Sequence, residues 1–208
     1  MGTRTQKLSR YGLPVVMTAL ILLAACAATP ATSTVIRTAF DLPADHAGFR
    51  NMLVISVAGD YDSRALFEQK LAAAFANSES RVTAYYTVVG RQPFLTRTAL
   101  DTAILSRKFD AVLLTRLKGQ EQAELVTNRP VGQSFDLFGY DYAELNVASP
   151  IEQASTITFV TELYPTSTRK KVWAIDTLSF DKPTATDLID EQVATIVTQL
   201  RTDDLLAP

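Results

Sequence analysis

Cysteine, histidine and tryptophan each occur once in this chain of 208 residues, as Cys26, His46 and Trp173. A lone cysteine forms no internal disulfide, and one cysteine with one histidine cannot furnish the ligand set of a structural zinc site. Serine or cysteine nucleophile chemistry would have to rely on His46, which lies in the polar stretch PADHAGFR. A catalytic base must be held by packed neighbours, so His46 reads as an exposed linker residue. Glycine is sparse, at 8 residues, and shows no phosphate-loop spacing. Neither a cofactor nor a metal is expected.

Clustered basic residues are also missing. Lys and Arg number 20 against 22 Asp and Glu, and three of the basic residues (Arg4, Lys7, Arg10) lie in the first 25 positions, where there is no acidic residue. The remainder is mildly acidic, which argues against a nucleic-acid partner, because neutralising phosphates takes grouped cations. What the chain does have is apolar mass: 47% hydrophobic residues against 20% charged. That balance belongs to globular rather than disordered proteins. A domain of about 150 residues already buries roughly 70% of the surface its unfolded chain exposes, so one self-sufficient domain is expected.

The amino terminus has three zones. Arg4, Lys7 and Arg10 precede a run from Leu13 to Ala25 that is apolar apart from Thr18 and interrupted only by Pro14, and small residues follow. This is the layout of a secretory signal peptide. The run is short for a transmembrane helix, which needs about 20 apolar residues. Its end, Leu23-Ala24-Ala25-Cys26, resembles the lipobox of bacterial lipoproteins. The resemblance implies diacylglycerol on the Cys26 thiol, cleavage just before it and acylation of the new amine. One acyl chain binds a membrane marginally, whereas several on one residue anchor it stably. Lipidation would also remove an unpaired thiol from an oxidising compartment.

Ala27 and Ala28 stand where the family's inner-membrane retention signal would place an aspartate. By resemblance this implies the periplasmic face of the outer membrane. The stretch AATPATST (27–34) has the small, polar, Pro-containing composition of a flexible tether. Residues 26–50 are accordingly assigned to tether and lead-in, and 51–208 to the domain.

Within the domain, Met52 to Ala58 (MLVISVA) reads as a buried strand. A helix capped by Asp62 or Ser63 follows, with Leu66, Phe67, Leu71, Ala74 and Phe75 at helical spacing. Arg81 to Val89 predicts a second strand, and Thr96 caps a helix whose inner face carries Leu100, Ala103 and Ile104. Ala111 to Leu117 is a third strand, with Glu121 to Thr127 pairing back as a hairpin. Alternation around Ile157 to Leu163, a turn, and Lys171 to Phe180 predict an antiparallel hairpin. Thr184 and Asp187 stand at capping-box spacing ahead of an apolar stripe of Leu188, Ile189, Val193, Ile196, Val197 and Leu200, which must cover a sheet. The expected fold is α/β or α+β with a mixed sheet and the carboxy-terminal helix packed on it.

This element order, together with the ELYPTSTRKKVWAIDT hairpin before the closing helix, resembles a loose group of periplasmic lipoprotein domains. The group includes CsgG-like and GNA1162-like families, the amino-terminal domain of TolB and auxiliary lipoproteins of lipid-transport complexes. The resemblance implies docking to other envelope proteins or self-association rather than catalysis. It transfers no functional residue.

Three segments are candidate sites. Asp60 and Asp62 follow the first buried strand, where open α/β sheets bind ligands, and could hold a hard cation; the simpler reading is that they end the strand and cap the helix. Phe135, Phe138, Tyr140 and Tyr142, in a loop with Gly132 and Gly139, are either a partner-binding surface or a flap covering the sheet. Arg169, Lys170 and Lys171 read as a solvated hairpin tip, with contact to anionic lipid headgroups as a minor alternative. Trp173, between Val172 and Ile175, reads as core. The functional expectation is a lipid-anchored binding or assembly component. The alternatives are a small-ligand carrier, an auxiliary of a lipid-transport complex, and an enzyme using Asp60 and Asp62.

Overall fold

A computed structural model describes residues 33–42, 46–57, 60–76, 79–91, 94–122, 125–127, 136–142, 156–180 and 182–207. The elements in chain order are β1 (Ser33–Phe40), β2 (Asn51–Val57), α1 (Tyr61–Ala73), β3 (Arg81–Ala84), α2 (Tyr86–Val89), α3 (Arg97–Arg107), β4 (Ala111–Gln122), β5 (Leu125–Thr127), β6 (Thr156–Pro165), β7 (Trp173–Phe180) and α4 (Ala185–Thr202). They form one mixed sheet in the order β1-β7-β6-β4-β2-β3, with β5 pairing back on β4. This is the expected α+β fold. β2 lies parallel to both β3 and β4, while the pairs β4–β6, β6–β7 and β7–β1 are antiparallel. No helix among the described residues is long and apolar enough to cross a membrane.

The apolar runs read from sequence fill both faces of the sheet. On one face, Met52, Val54, Leu113, Leu163, Trp173 and Ile175 pack against Phe67 and Leu71 of α1 and against Ile189, Val193, Ile196, Val197 and Leu200 of α4. On the other, Leu53, Ile55, Val112, Leu114 and Tyr164 pack against Leu100, Ala103 and Ile104 of α3. Burying each such side chain stabilises by roughly 1.5–3 kcal/mol, so the period-2 and period-3.6 patterns decide which face each element presents. Thr184 caps α4 by accepting from Asp187 N at 3.1 Å, and its hydroxyl donates to the Asp187 carboxylate at 2.6 Å.

Four expectations are corrected. The lead-in before Arg50 contains β1, an edge strand open on both faces, so it lacks the apolar periodicity that marks a core strand. The helix after β2 starts earlier than expected: Asp60 is the cap of α1, accepting from Ser63 N at 2.7 Å. The strand expected over Arg81 to Val89 stops at Ala84, because the buried Glu68 carboxylate takes the Tyr86 N–H at 2.9 Å and the chain turns into α2. His46 is half-buried with its ring 4.5 Å from that of Phe49, so it is packed rather than a free linker residue.

Candidate functional site

Two of the three most deeply buried charged residues in the described part, Arg116 and Glu162, meet on the α3 face around one carboxylate. Glu162 on β6 lies opposite Leu114 of β4, and Arg116, opposite Val160, is two residues further along the ladder. Period-2 alternation places both side chains on the same face. Each is 1% exposed. Arg116 Nε donates to Glu162 Oε2 at 3.3 Å, and Lys171 Nζ approaches Oε1 at 3.1 Å. The Tyr140 hydroxyl also donates to Oε2, which leaves Tyr164 to donate to Tyr140 across 3.0 Å.

Electrostatics follow from this geometry. Burial, and then the Glu162 charge, push the Tyr140 hydroxyl up to about 12, and the same two causes raise Tyr164 further. Burial works against the Arg116 cation, but the Glu162 carboxylate outweighs it and leaves the guanidinium raised. One carboxylate thus accepts from a tyrosine and two cations. Tyr140 and Lys171 meet the hydrogen-bonding capacity that Arg116 leaves on the Glu162 carboxylate, as burial of a charge requires.

The cluster fastens the segment 136–142 onto the sheet. Leu137 N donates to Arg169 O at 2.8 Å, Phe138 N to Asp136 Oδ1 at 2.8 Å, and the Tyr142 hydroxyl to Leu137 O at 2.8 Å. Phe138 takes the guanidinium of Arg169 at 4.2 Å and that of Arg97 at 5.2 Å from its ring centre. Phe138 and Tyr140 are buried and belong to the α3-face core, with Tyr142 packed beside it. At these positions the segment is a flap over the sheet, not an exposed docking loop. Phe135 and Gly132 lie outside the described residues, as does Cys26.

The basic tip is likewise not simply solvated. Lys171 is held by Glu162, and Arg169, besides its contact with Phe138, pairs with Asp101 at 3.1 Å. Trp173 is fully buried, as expected. The two strand-end carboxylates do not converge. Asp60 accepts from both the N–H and the hydroxyl of Ser63 at 2.7 Å; slight burial raises its pKa, but these bonds outweigh that and hold it below the usual value. Asp62 stands in solvent 3.8 Å from Arg91. Among the described residues, no three His, Cys, Asp or Glu side chains gather as a metal site.

Sequence reasoning passed over Arg116, Glu162 and Glu68. A signal existed: Arg116 interrupts AVLLTRL, and Glu162 interrupts ITFVTELYP. A charge inside a strand pattern with both faces covered needs a partner.

No family model matches this chain, and no curated protein matches it. Solved structures with a similar trace include the PelC dodecamer of Paraburkholderia phytofirmans at 14% identity, covering 81% of this chain and 96% of that one, with a TM-score of 0.43. A methionine variant of the same dodecamer gives 14% identity, 80% and 98% coverage, and 0.44. A Xanthomonas campestris protein under the family model DUF330 gives 12% identity, 79% and 89% coverage, and 0.35. These three are not the CsgG-like or TolB-like domains that the element order resembles. No residue role passes from them to this chain.

Proposed function

We propose that this chain is an envelope lipoprotein, cut before Cys26 and held by lipid on that sulfur, whose domain works as a binding or assembly component at the periplasmic face of the outer membrane. The observation that carries the reading is a charged leader and an apolar run ending in Leu23-Ala24-Ala25, directly ahead of the chain's one cysteine. A binding role is supported by how the described polar groups are used. Glu162, Arg116 and Lys171 hold a flap to the sheet, Asp60 caps a helix, and the single histidine packs on Phe49.

The test compares the natural chain with Cys26→Ser in a Gram-negative host fed labelled palmitate. The natural chain is expected to take up label and sediment with outer membranes, and the variant to do neither. Equal labelling and equal sedimentation would overturn the anchor. Crosslinking in intact envelopes then tests the binding role: discrete adducts with another envelope protein or a second copy are expected, and recovery of uncrosslinked chain alone would contradict it.

A further inference from the structure

We propose that the outer strand β1 is a bilayer contact, with Val35, Ile36 and Phe40 lying at the headgroup level of the membrane to which Cys26 is tied. The inference rests on the lipoprotein reading above. β1 ends the sheet and pairs, among the described strands, with β7 alone. Among the described residues its outer edge has no ladder partner, and its apolar side chains are open: Val35 is 37%, Ile36 50% and Phe40 48% exposed. Val35 and Phe40, opposite Thr177 and Trp173, point to the α4 side of the sheet, and Ile36, opposite Asp176, to the other. Phe180, at the end of β7 beside the start of β1, is exposed as well. Arg37 and the bulge beside it blunt the ladder of this edge, so what calls for a cover is its open apolar side chains.

Chain length selects the cover. Six residues separate Cys26 from Ser33. At no more than about 3.6 Å per residue, Ser33 stays within roughly 25 Å of the acylated residue whatever path the chain takes. β1 therefore begins beside the bilayer. A second copy adding its own strand is the competing cover, but the register shift between Arg37 and Ala39 breaks the regular ladder. Such a bulge twists an edge away from continuous pairing. Anionic lipid is not the attraction either, because Arg37 is engaged with Asp203. Depth is limited by the backbone: unpaired N–H and C=O groups are excluded from hydrocarbon, so β1 stops where water and headgroups still satisfy them.

The test uses the full chain purified with its lipid, its mass checked, bearing one added thiol at Ile36→Cys, at Phe40→Cys, or at Leu105→Cys on α3, which is 70% exposed. Because the natural thiol is acylated, each variant takes a single fluorophore. The proteins are placed in phosphatidylethanolamine and phosphatidylglycerol vesicles carrying a spin-labelled lipid quencher. Quenching at positions 36 and 40 is expected to be several times that at 105. Equal quenching at all three sites, or none at 36 and 40, overturns the contact while leaving the anchor intact. So does concentration-dependent shielding of position 36 in lipid-free Cys26→Ser protein, which would assign β1 to a second copy. Absence of acyl mass on Cys26 overturns the anchor, and the contact with it.

Discussion

The indole N–H of Trp173 donates to Asp203 Oδ2 at 2.8 Å, joining the second strand of the sheet to the residue that ends the last helix. Arg37 of β1 reaches the other oxygen of the same carboxylate, and Gln199 donates to Oδ2 at 3.0 Å. Edge strand, inner strand and closing helix therefore share one buried anion. Replacing Asp203→Ala leaves the indole N–H and the amide of Gln199 unsatisfied, at an expected cost of about 2–4 kcal/mol, because a lost buried partner costs more than the net value of the bond. Urea unfolding followed by the fluorescence of this only tryptophan measures it. A change below 0.5 kcal/mol, roughly the level of an inert surface substitution, would mean that the triple contact does not form.

Phe138 and Tyr140 belong to the core, and their substitution is expected to lower the melting temperature. Phe138→Ala should cost about 3 kcal/mol as a large-to-small change with loss of the two arginine contacts. Tyr140→Phe removes only the hydroxyl and should cost about 1–3 kcal/mol, since Glu162 loses a donor. Thermal unfolding checks both. Unchanged midpoints would return the segment to the surface.

Glu68 supplies a pH dependence. Burial pushes its carboxyl up from an ordinary 4.5 to about 7, against the opposing pull of the Ser56 and Tyr86 N–H groups and the Arg64 charge. The folded state therefore binds the proton more tightly than the unfolded chain does. This group's stabilisation is complete below pH 4.5 and is lost as pH rises through about 7. The span corresponds to roughly 3 kcal/mol. Glu68→Gln cannot titrate, so the stability difference between natural chain and variant should shift in favour of the variant across that window. A difference that is flat from pH 4.5 to 7.5 would contradict the raised value.

Two glycines with similar φ should behave differently. Gly48 has φ +73°, and a Cβ there would run into the backbone of Leu206 and Ala207, where the chain end is bridged to Phe49. Gly90 has φ +74° with open space around it. Gly90, with ψ −163°, sits in a region essentially confined to glycine, so Gly90→Ala should cost about 1–3 kcal/mol, the conformational term alone. Gly48→Ala should cost more, because backbone must move as well, and it should loosen the carboxy terminus to proteolysis. Equal losses at the two sites would place the carboxy-terminal residues elsewhere.

Much of the architecture was legible because it follows from burial. MLVISVA, AVLLTRL and the stripe from Leu188 to Leu200 have apolar patterns that a two-faced sheet with covering helices satisfies. Thr96 and Thr184 announced their helices through local hydrogen bonding. β1 escaped because an edge strand open on both faces leaves no period to read. Tyr86 to Val89 was misread because the carboxylate that turns the chain there belongs to Glu68, distant in sequence. The aromatic flap posed the same difficulty: whether Phe138 and Tyr140 face water depends on Glu162 and Arg169, which meet them only after folding.

The most direct test of the account is the mass of the amino-terminal peptide of the protein isolated from its native membrane. The lipoprotein reading predicts a chain beginning at Cys26, with a diacylglyceryl group on sulfur and a further acyl group on nitrogen. A peptide that begins at Met1, or one that contains Cys26 with an unmodified thiol, would contradict it.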